Sequence, residues 1–262
     1  MNFKNVIFET RSGVAYITIN RPDAANTMDF TTAHELMQVA LACDEDPSVR
    51  AAVLTGAGSV FSAGGDLKSF AAQGPALPAH LKEVTTYLHA AISRLVRMRA
   101  PLIASVNGVA AGAGMALMMA ADLAVAAESS RFVMAYTRVG LTPDGSSTYF
   151  LPRLVGLRRA LELSLTNRML SAQEALQWGI INRIVPNAAL AEETEKLARE
   201  LAAGPTLAFG ATKDLLHRSW NESLETQMEL EARSIAAISR TADTNEGIAA
   251  FIAKRPGVFS AR

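Results

Sequence analysis

Along most of the chain, short apolar runs alternate with longer stretches in which apolar residues recur every three or four positions. The first kind reads as strand, the second as helix. Val6 to Glu9 and Val14 to Ile19 are two strands around the turn Arg11-Ser12-Gly13, with Ala15, Ile17 and Ile19 alternating against Val14, Tyr16 and Thr18. After the break at Asn20-Arg21-Pro22, a helix runs from about Asp29 to Cys43 with Ala33, Leu36, Met37, Ala40 and Leu41 on one face. Asp29 is one candidate cap; Thr32 with Glu35 fits a capping box as the other. Ala51 to Thr55 is a further strand. Gln73 to Pro78 cannot continue a helix and predicts a mobile break.

Beyond that break, a helix from about His80 to Met98 turns Leu81, Val84, Leu88, Ile92 and Leu95 inward. Leu102 to Val106 reads as a buried strand, and Met115 to Ala121 as a small-residue helix ending at Asp122. Leu123 to Ala126 and Arg131 to Val133 are short strands. Helices over Ser147 to Val155, Leu157 to Leu165 and Ala172 to Trp178 precede a strand at Arg183 to Val185. From Ala188 onward the pattern is wholly helical. Gly204-Pro205, Trp220-Asn221-Glu222 and Thr241-Ala242-Asp243 divide it into four segments.

Two of the strand-to-helix turns carry candidate chemistry. In Val106 to Ala116, Gly108, Gly112 and Gly114 leave the main chain almost bare, and the first N–H groups of the following helix have no internal partner. Val60-Phe61-Ser62-Ala63-Gly64-Gly65-Asp66-Leu67-Lys68 repeats the arrangement after Ala51 to Thr55. Such turns could receive an anion, a phosphate or a developing oxyanion, and close helix–strand packing would also explain the glycines. Leu117 stands where a dinucleotide fingerprint needs a small residue, and no Gly-Lys phosphate loop is present.

Composition narrows the partners. Lys plus Arg and Asp plus Glu number 25 each, so no global field favours nucleic acid or a membrane surface, and a small molecule is expected. With 262 residues, half of them hydrophobic, the chain can bury a large core. The single Cys43 suits a reducing compartment, and no apolar stretch reaches the roughly 20 residues that span a bilayer. A cytoplasmic protein is expected. His34-Glu35 is followed by Gln38 where a zinc site needs His, and no G-x-S-x-G occurs, so no metal is expected.

Taken together, Phe61-Ser62-Ala63-Gly64-Gly65-Asp66-Leu67 and Asn107 to Gly114 resemble the double signature of the crotonase, or enoyl-CoA hydratase/isomerase, superfamily. The resemblance runs from Phe8 to the C-terminus. It implies an α/β fold, a spiral of ββα units over residues 1–200 that carries the CoA-ester site, followed by a helical oligomerisation region over 201–262. It implies trimers or dimers of trimers, and a substrate carried as a coenzyme A thioester with no permanently bound cofactor. The backbone N–H groups of Gly65 and Ala113 would then hold the thioester oxygen. Ala24 and Ala25, in the loop after Asn20-Arg21-Pro22, together with Ala63, Asp66 and Leu67, would contact the coenzyme, and Lys254 would reach a neighbour's CoA phosphates. Asp66 also reads as a helix-start residue, and Lys254 as a solvated surface lysine.

The departures from that family pattern are informative. Where hydratases of the family carry two glutamates, this chain has Ala116 and Tyr136, so concerted addition of water loses both its acid and its base. Asp144, in Thr142-Pro143-Asp144-Gly145, stands where members resembling enoyl-CoA isomerases and the isomerases of ring-epoxide phenylacetyl-CoA carry a proton-shuttling carboxylate; by itself it also reads as a cap on the helix from Ser147. The resemblance therefore implies an isomerase that moves a double bond by proton transfer from C2 to C4. An atypical hydratase, an aryl-CoA dehalogenase with Asp144 as nucleophile and His89 as base, and a non-catalytic CoA-ester binding protein are the alternatives. His89 reads equally as a structural or a supporting residue. Tyr136 is either a core residue or a hydrogen-bond donor to Asp144.

Overall fold

The computed structural model describes residues 2–261. Strands β1 (Val6–Arg11) and β2 (Val14–Ile19) form an antiparallel hairpin, and a 3-10 turn at Pro22–Ala24 leads to α1 (Phe30–Glu45). Asp29 caps α1, its carboxylate accepting the Thr32 N–H at 2.8 Å. Glu35 acts elsewhere. Its two oxygens accept the N–H groups of Lys4 and Asn5, each at 2.8 Å, and tie the start of β1 to the helix.

The order strand, strand, helix then recurs. β3 (Ala51–Gly56), β4 (Val60–Ser62), α2 (Leu67–Ala71) and α3 (Leu77–Arg97) make the second turn of the spiral. β5 (Leu102–Val106), β6 (Val109–Ala111) and α4 (Ala113–Met119) make the third, and β7 (Leu123–Ala127), β8 (Arg131–Val133) and α5 (Ser147–Val155) the fourth. There follow α6 (Leu157–Thr166), β9 (Leu170–Ser171), α7 (Ala172–Gln177) and β10 (Arg183–Val185). The rest is helical: α8 (Leu190–Ala203), α9 (Thr206–Arg218), α10 (Leu224–Ile238) and α11 (Ala242–Ile252). Helix α8 continues through residues 200 and 201 and ends at Ala203, before Gly204 and Pro205.

The sheets sort the strands by their place in each unit. From the second unit to the fourth, the first strand enters a six-stranded sheet of order β1-β2-β3-β5-β7-β10, and the second enters a four-stranded sheet of order β4-β6-β8-β9. The β3, β5 and β7 runs are almost wholly buried, and apolar but for Thr55 and Ser105, because both sheet faces are covered. Ala52 and Leu54 join the main core with Leu36 and Leu88, whereas Ala51 and Val53 face Leu190 and Ala198 of α8.

Three local expectations are corrected. The stretch after Val106 is not bare turn, since Val109–Ala111 forms β6, and the helix starts at Ala113 rather than Met115. The break at Gln73 to Pro78 is a 3-10 turn, Gly74–Ala76, and α3 begins immediately at Leu77, not at His80. Pro78 sits in the first turn, where its missing N–H removes no helical bond. Strand β9, two residues long, is too short to show any period.

A buried ion pair docks α9 on the spiral. Lys213 Nζ lies 2.6 Å from Asp122 Oδ2, with side chains 10% and 16% exposed, and Asp122 also accepts the Leu102 N–H at 2.7 Å. Burial raises the Asp122 carboxyl above its ordinary range, against the opposing pull of Lys213. Lys213→Met leaves that carboxylate buried and uncompensated, with an expected loss of about 3 to 5 kcal/mol in urea unfolding at neutral pH. Because the folded state then favours protonated Asp122, the deficit shrinks as pH falls. A deficit independent of pH would show that the loss comes from packing instead.

Candidate active site

Strands β4 and β6 pair in parallel, with Ser62 opposite Ala110, so the loops leaving them emerge side by side at one sheet end. That placement suits a ligand site. The loops touch through glycines. Gly64 has φ +93°, and a Cβ on it would lie 2.8 Å from Ala111 O. A Cβ on Gly114 would lie 2.4 Å from Ser62 O and 2.6 Å from Ser62 Cβ. Only glycine permits these approaches, so helix–strand packing and site formation are here one requirement.

Met28 fixes the Gly65 peptide. Its N–H donates to Gly64 O at 2.7 Å, and its carbonyl accepts the Asp66 N–H at 2.9 Å. The Gly65 N–H between them, and the N–H of Ala113 at the start of α4, make no hydrogen bond within the chain among the described residues. Both residues line one cavity of about 370 Å³, and Asp144 lines it too. Its walls are mainly apolar, with Leu67, Phe70, Val84, Leu88 and Leu141 among them.

Asp144 is held by its neighbours and caps no helix. The N-cap position of α5 belongs to Ser146, and no side chain among the described residues caps that end. The Asp144 carbonyl accepts from Ser147 Oγ at 2.6 Å and Ser147 N at 3.0 Å, while Tyr136 Oη donates to Asp144 Oδ1 at 2.6 Å. Burial, followed by the Asp144 charge, pushes the Tyr136 phenol well above its ordinary pKa, so Tyr136 remains a donor. Ala116, where the family's hydratases carry a glutamate, is fully buried, and a Cβ on Gly145 would stand 3.0 Å from its Cβ. The Asp144 loop thus occupies ground next to the missing carboxylate.

Of the other sequence candidates, Ala63 and Leu67 line the same cavity. Asp66 caps α2 by accepting the Ser69 N–H at 3.0 Å and pairs with Arg21 at 2.9 Å. Burial would raise its carboxyl, yet the Ser69 amide and Arg21 outweigh this and hold it below the usual range. Ala24 and Ala25 lie at the 3-10 turn outside the cavity lining, and Ala25 O accepts the Ala63 N–H at 3.0 Å. His89 lies outside that lining, its Nε2 accepting the Gly145 N–H at 3.1 Å. Lys254 is exposed just beyond α11. Sequence reasoning missed Met28 and Phe70. The Phe70 ring backs Gly65, with Cε2 2.6 Å from where a Gly65 Cβ would be, but α2 is only five residues long and displays no face in the sequence.

A spiral of ββα turns, with two strand-end loops presenting free amides to one cavity, is a crotonase-type fold. The model of the enoyl-CoA hydratase/isomerase family matches residues 9–262, and the chain belongs to that family. It is 37% identical over 259 residues to the 1,2-epoxyphenylacetyl-CoA isomerase of Escherichia coli, covering 98% of each chain. It is 38% identical over 235 residues to 4-chlorobenzoyl coenzyme A dehalogenase-2 of an Arthrobacter species, covering 89% of this chain and 85% of that one. The crystal structure of an enoyl-CoA hydratase from Bacillus anthracis superposes with a TM-score of 0.93 at 29% identity, covering 99% of this chain and all of that one. Among the described residues, no helix is long and apolar enough to cross a membrane.

Proposed function

We propose that the protein is an enoyl-CoA isomerase that converts 3-enoyl-CoA into conjugated 2-enoyl-CoA. One observation carries this reading: among the described residues, Asp144 is the only carboxylate lining the cavity that Gly65 and Ala113 share. In the proposed reaction, the Asp144 carboxylate takes a proton from C2. The electron pair moves onto the thioester oxygen, where the N–H groups of Gly65 and Ala113 receive the charge. The resulting dienolate collapses by taking the proton from Asp144 at C4, which shifts the double bond and restores the carboxylate. No atom is gained or lost. Each oxyanion donor is worth about 3 to 4 kcal/mol, and a placed acid/base about 10²- to 10⁴-fold in rate. Tyr136 donates to Oδ1, and in this reading Oδ2 is the oxygen that handles the proton.

The neighbouring chemistries of the family fit less well. Hydration needs a second acid/base, and Ala116 offers none. Ala116→Glu is expected to destroy isomerisation without creating hydration, because the larger side chain would push Gly145 and Asp144 out of place. Appearance of a 3-hydroxyacyl-CoA from the variant would contradict this. A dehalogenase-like displacement by Asp144 needs a base on the cavity side, whereas His89 Nε2 is engaged by Gly145.

Assembly into trimers belongs to the same proposal. Trp220, Ile235, Phe251 and Ile252 of the C-terminal region are 58%, 73%, 86% and 75% exposed, an apolar surface suited to copies of this chain. Lys254 adjoins it. The coenzyme A portion arrives with the substrate and is no resident cofactor. Incubation with 3-enoyl-CoA esters, followed by mass and ultraviolet detection, tests the function. Conversion to the conjugated ester supports it; a panel that binds without any turnover would replace it with a binding role.

A further inference from the structure

We infer that His89 is a positioning residue for the Asp144 loop, and that its unprotonated Nε2 makes turnover depend on its protonation state. The inference rests on the reading of Asp144 as the acid/base. Asp144 is held at two of its groups, the carboxylate by Tyr136 and the carbonyl by Ser147. The peptide that follows is held by α3. Gly145, at φ +57°, donates its N–H to His89 Nε2 at 3.1 Å, while its α-carbon faces Ala116, Leu88 and Ile92.

Helix α3 therefore serves the loop from two faces. Leu88 lines the cavity, and His89, one residue on, lines a separate open groove on the outside. An imidazole accepts at Nε2 only as the neutral Nδ1–H tautomer. A second proton would turn the acceptor into a donor facing another donor, and the Gly145 amide would lose its partner. Because His89 is exposed to the groove, bulk protons reach it directly. The charged and titratable groups that line the same groove are Arg97 from α3, Tyr149 from α5, and Asp214, His217 and Arg218 from α9. Burial holds His217 below its ordinary range, so His217 is the other histidine that must be separated from any acid-side effect.

Substitution separates positioning from simple packing. His89→Ala should lower kcat by about 10²-fold, the scale of a misplaced reacting group, with KM for the thioester unchanged because the cavity walls and amides remain. His89→Gln, whose Oε1 can accept the Gly145 N–H and does not titrate, should recover most of kcat and show a weaker acid-side fall than wild type, because only the requirement for an ionised Asp144 then remains. That second variant decides the matter even if the alanine variant folds poorly. Wild-type kcat in His89→Ala, or an acid limb in His89→Gln identical to that of wild type, would overturn the inference. Asp144→Asn in the same assay keeps the two readings apart. Turnover lost there but intact in His89→Ala sinks the role of His89 alone, and turnover retained in Asp144→Asn sinks both.

Discussion

Asp144→Asn is expected to reduce double-bond migration by about 10²- to 10⁴-fold, equivalent to about 3 to 5 kcal/mol in the barrier. The amide can accept a hydrogen bond from Tyr136 Oη, so the loop has no reason to move, but it can neither take the C2 proton nor deliver one to C4. Binding of the CoA ester should survive, because the Gly65 and Ala113 amides and the apolar walls are untouched. Calorimetry with a non-isomerisable acyl-CoA, beside steady-state kinetics, separates the two effects. Loss of binding and turnover together would mean that Asp144 shapes the cavity more than it reacts.

Gly114→Ala should damage both stability and rate. The added methyl would fall 2.4 Å from the carbonyl oxygen and 2.6 Å from the Cβ of Ser62, a fully buried residue whose hydroxyl donates to Asn26 O at 2.8 Å. Neither neighbour is the free end of a flexible side chain, so the two loops must separate. Overpacking of this kind costs about 1 to 3 kcal/mol in unfolding. Separation of the loops also pulls the Ala113 amide away from that of Gly65, for which the expected loss in kcat is about 10²- to 10³-fold. A variant that unfolds earlier yet turns over normally would show that the amide pair tolerates displacement and contributes little.

Much of this site is legible in the sequence because its backbone requirements leave marks that no side chain can hide. Gly64 and Gly114 advertise close approach, and Asp144 after Pro143 stands out where Ala116 and Tyr136 depart from the family's glutamates. What brings these together is non-local. The pairing of Ser62 with Ala110, the clasp of Met28 around Gly65 and the bond from Gly145 to His89 join residues far apart in the chain, and no local period announces them. The helix-cap reading of Asp144 is reasonable from the chain alone; it fails because Ser146, at φ +67°, takes the N-cap position and the Asp144 carboxylate accepts from Tyr136 Oη instead. Strand β6 is hidden for a related reason, since three residues between glycines show no alternation until a parallel neighbour pairs with them.

The central claim, that one carboxylate beside a pair of amides carries a proton in both directions, is tested most directly by mass-resolved turnover of 3-enoyl-CoA in deuterated water. The predicted product is a conjugated 2-enoyl-CoA with no added water and with any deuterium confined to C2 and C4, and with Asp144→Asn its rate of formation should fall by about 10²- to 10⁴-fold. An oxygen adduct at C3, or deuterium incorporation that persists in Asp144→Asn, would contradict the account.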